Sequence, residues 1–140
     1  MATDRLLGLL GLARRAGKLE IGEALTAETV AAGKARAIFL ASDTGEATRR
    51  KIARHEERVP VFTLPHDKET VGASLGFPGC AVCCLTDIGM ARAAADQLAP
   101  LSEDNARAAE RVAQKQTRIE SRKGKKKTKE KTTAPQGTKE

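Results

Sequence analysis

The chain has 140 residues, room for one ordinary domain and an extension. Lys and Arg number 25 against 18 Asp and Glu, a net charge of +7, which points to a polyanionic partner and says nothing about fold. Three Phe with no Trp or Tyr argue against a surface that stacks successive bases on aromatics, and a 40% apolar share places part of the length outside any core. Leu6, Leu9, Leu10 and Ala13 recur at helical spacing and predict a first amphipathic helix ending near Gly17. Lys18 to Ile21 alternates as a short strand. Gly22 to Ala32 is predicted as helix with Leu25, Thr29 and Ala32 on one face and Gly33 as its stop. Ala35 to Leu40 is a nearly continuous apolar run, as in a strand covered on both faces. Asp43 and Glu46 have the spacing of a capping-box variant opening a helix to about Glu57. Val59 to Leu64 is a further strand, with Pro60 near its start. Asp67 to Leu75 is a short helix closed by Gly76, Cys80 to Thr86 a buried strand, and Asp87 caps a helix to about Leu98.

This alternation predicts an α/β chain, a three-layer α/β/α sandwich around a small four-stranded mixed sheet. Residues 1–100 carry 13 Lys/Arg and 12 Asp/Glu, a net of +1, whereas residues 101–140 carry 12 and 6, a net of +6. Pro100 marks the expected boundary of the folded domain. Residues 101–122 have helical propensity with a thin stripe of Ala106, Ala109, Val112 and Ala113, and are expected as a basic helical extension. Residues 123–140 are a Lys-rich tail with no apolar periodicity, expected to be disordered. The longest apolar run, Cys80 to Leu85, is far short of the roughly 20 residues of a membrane span. No secretory signal is visible, and three cysteines within five positions fit a reducing compartment, hence the cytoplasm.

Cys80, Cys83 and Cys84 form C-x-x-C-C, half of a zinc site or a redox pair on spacing alone. No second pair completes a metal set, and the favoured reading is small buried residues of a central strand, Cys80 and Cys84 on one side and Cys83 on the other. His55 and His66 accompany no paired nucleophile, Ser42 and Ser74 lie in no nucleophile elbow, and the glycines match neither a dinucleotide fold nor a P-loop. No catalytic constellation, metal or cofactor is therefore expected. Arg49, Arg50, Lys51 and Arg54 are read mainly as a solvated helix face balanced by Glu46, Glu56 and Glu57. The most suggestive stretch is Arg14-Arg15-Ala16-Gly17-Lys18 followed by Gly22. Two arginines end a helix, a lysine starts a strand, and a glycine opens the next helix, whose N-terminus suits a phosphate. Lys34 and Arg36 add positive charge after that helix.

The runs GLARRAGKLEIGEAL, VAAGKARAIFLASDTGEATRRKI, VPVF, ASLG and CCLTDIGMA, in that order from about Asp4 to Leu98, resemble the L7Ae family of ribosomal and kink-turn RNA-binding proteins. The resemblance is nearest to the small bacterial members. It implies an α/β/α sandwich that binds RNA without catalysis, using the start of the second helix and nearby loops. On the family's Gly-x-Asn-Glu motif and the lysine three residues beyond, Gly22 matches the glycine and Glu23 the variable position. Ala24, Leu25 and Glu28 replace the asparagine, glutamate and lysine. Ala24 cannot hydrogen-bond a guanine edge, and Glu28 reverses the charge. Lys18 resembles a position that meets the RNA backbone, and Phe77, Pro78, Gly79 and Cys80 resemble a second contact loop.

The expected function is thus a cytoplasmic, non-enzymatic, ribosome-associated RNA-binding protein with a degenerate kink-turn motif, acting as a monomer. Its expected contacts are Arg14, Arg15, Lys18, Gly22, Glu23, Ala24, Leu25, Glu28, Lys34, Arg36 and Phe77 to Cys80. Structured ribosomal or kink-turn RNA is the expected partner, and no membrane. The alternative is a protein–protein interaction module that has lost specific RNA recognition. The RNA-binding half of a modifying enzyme ranks last, because the chain is too short for a catalytic domain as well.

Overall fold

The computed structural model describes the backbone of residues 2–133 and the side chains of residues 5–122. Four short strands order the molecule: β1 (Leu19–Ile21), β2 (Ala37–Leu40), β3 (Val61–Thr63) and β4 (Val82–Leu85). They form one mixed sheet in the order β1-β4-β2-β3. β4 is antiparallel to both neighbours, with Leu85 opposite Leu19 and Ala37, and β2 and β3 are parallel, with Ile38 opposite Val61. Every residue of the central strands β2 and β4 is buried, as their apolar runs require.

Successive strand residues point to opposite faces, and the core divides accordingly. On one face Phe39, Phe62, Cys83 and Leu85 pack under α1 (Ala2–Arg15), α4 (Lys68–Leu75), α5 (Ile88–Leu98) and α6 (Glu103–Thr133). The Phe39 and Phe62 rings stack there with centroids 5.4 Å apart. On the other face Ile38, Leu40, Val82 and Cys84 meet Val30 of α2 (Glu23–Ala31) and Ile52 of α3 (Glu46–Ala53). The expected three-layer sandwich with four strands is present.

Several local expectations change. The buried face of α2 is Thr26 and Val30, while Leu25 is 45% exposed. The helix is rotated by one residue because Thr26 turns inward beside the Cys84 thiol. Asp43 does not cap α3, which starts at Glu46 behind Gly45 with no side-chain cap. The Asp43 carboxylate instead accepts from Lys68 N–H (2.8 Å). Asp67 and Asp87 do cap, accepting from Thr70 N–H (2.8 Å) and Met90 N–H (2.9 Å).

The largest change lies beyond Pro100, which sits in a 3₁₀ turn (Ala99–Leu101) joining α5 to α6. The first half of α6 is part of the domain. Ala108 and Val112 are buried in the core, and Arg92 on α5 donates to Gln116 (3.0 Å). Asn105, 3% exposed, accepts from Thr63 N–H and donates to the Thr63 carbonyl, both at 3.0 Å. One amide therefore satisfies both backbone groups of an edge-strand residue, which no apolar pattern announces. The helix continues past Lys123 to Thr133, where disorder was expected. Lysine is a good helix former, and extending an existing helix avoids the cost of nucleation. The remainder of the expected disordered segment, residues 134–140, lies outside the described residues. Among the described residues no helix is long and apolar enough to cross a membrane.

Candidate functional site

Strand direction decides which sequence-predicted residues meet. β1 is flanked by Lys18 at one end and Gly22 at the other, about 13 Å apart along an extended chain. Gly22 N–H donates to the Val82 carbonyl (2.9 Å), so the start of α2 lies at the entry of β4. Its φ of 101° is a conformation that only glycine adopts without strain. Ala41 N–H donates to the Ala81 carbonyl at the same end (2.9 Å), bringing in the loop before α3. Gly72 on α4 lies so close to Gly79 that an added Cβ would stand 2.6 Å from the Gly79 Cα. This bare contact seats the Phe77–Gly79 loop against α4 and delivers the chain to β4.

Gly22, Glu23, Ala24 and Leu25 therefore share one end of the sheet with Pro78 and Gly79. Ala24, Leu25, Glu28 and residues 77–79 are exposed. Phe77 stands at the near edge of this loop, with the Arg14 guanidinium 4.9 Å from its ring centroid. Arg14 thus reaches the loop as well as closing α1, and Arg15 is exposed beside it. Glu23 is committed within the protein, pairing with Lys51 (3.3 Å) and accepting from the Thr48 hydroxyl (3.5 Å). Lys18, Lys34 and Arg36 are not part of this end. Thr86 N–H donates to the Lys18 carbonyl and Arg36 N–H to the Leu85 carbonyl, placing both at the exit of β4.

Cys80 is 4% exposed and is not a surface group. β4 begins at Val82, so Cys80 precedes the strand and joins Cys83 on one face, with Cys84 alone on the other. The expected pairing of Cys80 with Cys84 is corrected by this later start. The Cys83 thiol is pushed well up by its hydrogen bond with Cys80 and then by burial, and burial pushes Cys84 up. Both are neutral thiols near neutral pH. Among the described residues no group of three or more His, Cys, Asp or Glu could hold a metal ion.

Two features escaped the sequence. An open hollow of about 540 Å³ is lined by Asp43, Asp67, Lys68, Glu69, Pro78 and Gly79, giving this end three carboxylates around one lysine. These acids come from the loop before α3 and from the start of α4, so no single run announces them. Arg49 holds the loop before α3, donating to the carbonyls of Thr44 (3.2 Å), Ala41 and Ser42 (both 3.4 Å). Arg50 pairs with Glu46 (3.6 Å), and the α3 basic run is mostly spent on the protein itself.

A family model described as the ribosomal protein L7Ae/L30e/S12e/Gadd45 family matches residues 4–94. The RNA-binding protein YlxQ of Enterococcus faecium is 39% identical over 68 residues, 47% of this chain. That match spans 66% of the relative, just under two thirds of its length. A solved Bacillus halodurans structure, described as a protein of unknown function, superposes with a TM-score of 0.63 and 29% identity. The superposition covers 66% of this chain and 95% of that one.

Proposed function

The chain belongs to the ribosomal protein L7Ae/L30e/S12e/Gadd45 family, and on that premise we propose that it is a non-catalytic RNA-binding protein. Its target in this reading is structured RNA of the ribosomal or kink-turn kind, bound at the Gly22 end of the sheet. The observation that carries the reading is that the Gly22 helix start and the Pro78–Gly79 loop lie at the same end of the sheet, at the entry of β4, within the span that the family model covers. The first turn of α2 presents unpaired N–H groups beside a glycine, where a phosphate can approach. The base-reading side chains are absent, since Ala24 and Leu25 offer no hydrogen bond to a base edge. Recognition here rests on backbone and shape. The RNA partner also agrees with the relative named as RNA-binding.

The test is direct binding of the full chain to a kink-turn hairpin and to a plain RNA duplex of equal length. Preference for the kink-turn supports the reading, and equal affinity for both removes kink-turn specificity. A complete absence of RNA binding overturns the proposal. Glu28→Lys restores a cation on exposed α2 and is expected to strengthen kink-turn binding up to about tenfold at low salt, the value of roughly one phosphate contact. A second reading, docking of a partner protein, draws on exposed Leu25 and Phe77. It predicts a partner that stays bound after nuclease treatment while the purified chain ignores RNA.

A further inference from the structure

The basic residues that do not reach the Gly22 end converge at the opposite one. Arg36 N–H bonds the exit of β4, and Ile38 N–H donates to the Pro60 carbonyl (2.9 Å), which places Arg58 alongside. α6 descends from Thr63 to this end. Arg111 donates to the Glu57 carbonyl (3.1 Å), and the Lys115 ammonium to the Arg58 carbonyl (3.2 Å). At 3.6 residues per turn, Arg107, Arg111, Lys115, Arg118 and Arg122 fall within an arc of about 80°. Buried Asn105, Ala108 and Val112 occupy the adjoining arc, so the basic stripe runs beside the docked face and emerges over the strand ends.

The charge is left uncompensated. Arg107 pairs with Asp104 (2.8 Å). Among the described residues no ion pair involves Arg36, Arg58, Arg111, Lys115, Arg118 or Arg122. Of the nearby acids, Asp87 is occupied in capping α5, Glu57 offers the stripe its carbonyl, and Glu56 lines a hollow with Arg107 and Arg111 without pairing with either. Burial first, and then Arg36, Arg111 and Arg118, hold the Lys115 ammonium below its ordinary value. Cations this close repel one another, and a polyanion relieves that repulsion while releasing its own counterions. A lipid surface fits poorly, because the apolar residues Ala108 and Val112 beside the stripe face the core rather than solvent.

We propose that Arg36, Arg58, Arg111, Lys115, Arg118 and Arg122 form a second RNA-facing surface, which grips the sugar–phosphate backbone of a duplex at the end of the sheet opposite Gly22. This rests on the RNA-binding reading above and adds a second contact to it. The surface has no group arranged to read bases, so it adds affinity without sequence preference. Six such contacts on a duplex give a log–log salt slope of about −5, at roughly −0.9 per phosphate.

The experiment measures binding of the full chain to the plain RNA duplex and to the kink-turn hairpin at several salt concentrations. The test variant carries Arg58→Gln, Arg118→Gln and Arg122→Gln, exposed residues whose side chains make no hydrogen bond or ion pair among the described residues, so folding is spared. A control carries Arg5→Gln and Arg50→Gln, exposed cations outside both surfaces, and is compared with the test variant per charge removed. The expected result is a slope shallower by about 2 to 3 and binding weaker by about tenfold or more in the test variant, with a smaller change in the control. An unchanged slope in the test variant, with wild-type binding intact, overturns this surface and leaves the RNA reading standing. An equal loss in the control overturns it too, since overall charge then carries the slope. Failure of the wild type to bind any RNA overturns both. Loss of attachment to phosphatidylserine vesicles, with the RNA slope unchanged, assigns the surface to a lipid headgroup and also overturns the proposal.

Discussion

The two ends of the sheet differ in kind. At the Gly22 end the backbone is shaped by glycines, but the charges are internal or acidic: Glu23 holds Lys51, Arg49 holds a loop, and three carboxylates surround Lys68. At the Arg36 end no special loop is present, yet cations from just before β2, from the turn before β3 and from α6 gather with no ion pair to a carboxylate among the described residues. One end carries shape with its cations already engaged, and the other carries free cations without shape. The near-neutral balance of residues 1–100 conceals this separation, because the α6 cations at the Arg36 end lie beyond Pro100.

Removing α6 breaks the comparison most severely. A chain ending at Pro100 loses the Asn105 bonds and the burial of Ala108 and Val112, a destabilisation of about 3 to 5 kcal/mol. Chemical denaturation reads it, and an unchanged midpoint means that α6 is no part of the core. A chain ending at Arg122 keeps those contacts and is expected to hold its stability within ~0.5 kcal/mol, since Asn105, Ala108 and Val112 all remain. Next in size is Gly72→Val at the other end, whose side chain strikes the Gly79 backbone and costs about 1 to 3 kcal/mol. Unfolding measures the cost, and faster amide exchange at residues 77–80 shows where it falls. Phe77→Leu removes the ring beneath Arg14, a loss of about 0.5 to 1 kcal/mol. Arg14→Leu in the Phe77→Leu background should then add no further loss from this contact, and an undiminished effect means that the two groups do not interact.

The smallest effect concerns pH. The Asp67 carboxyl is held below 3.8 by hydrogen bonds from Thr70, through its side chain and then its backbone. A lowered folded value stabilises the protein above 3.8, and the contribution is lost as pH falls through the folded value. Asp67→Ala should therefore lower the melting temperature at pH 7, and the gap from wild type should close towards pH 2. A gap that persists there removes the carboxylate from the explanation.

Much of the fold was legible because its signals are local. Asp67 and Asp87 announce helix starts by accepting from an N–H three residues on, and the apolar runs of β2 and β4 announce burial on both faces. Asp43 has the same capping signature, but Lys68 N–H from a distant segment captures its carboxylate. Cys80 was placed on the wrong face because strand alternation was carried back past Val82, where β4 begins and the alternation no longer holds. The docking of α6 was hidden because its anchor is an asparagine, meaningful only opposite Thr63. The candidate site was harder to read for the same reason. Lys18 and Gly22 are four positions apart in sequence, yet a strand separates them to opposite ends, while Gly22 and Pro78 are brought to one end only through the sheet.

The Asn105 amide has a consequence for assembly. An edge strand with vacant N–H and C=O groups is a template on which another chain can lengthen the sheet. At Thr63 both groups are already taken by α6. A second copy adding a strand at this residue must first peel the helix away, uncovering Val112 and the core beneath it. The contact that fastens the basic helix to the domain therefore also guards the sheet against growth from its β3 side.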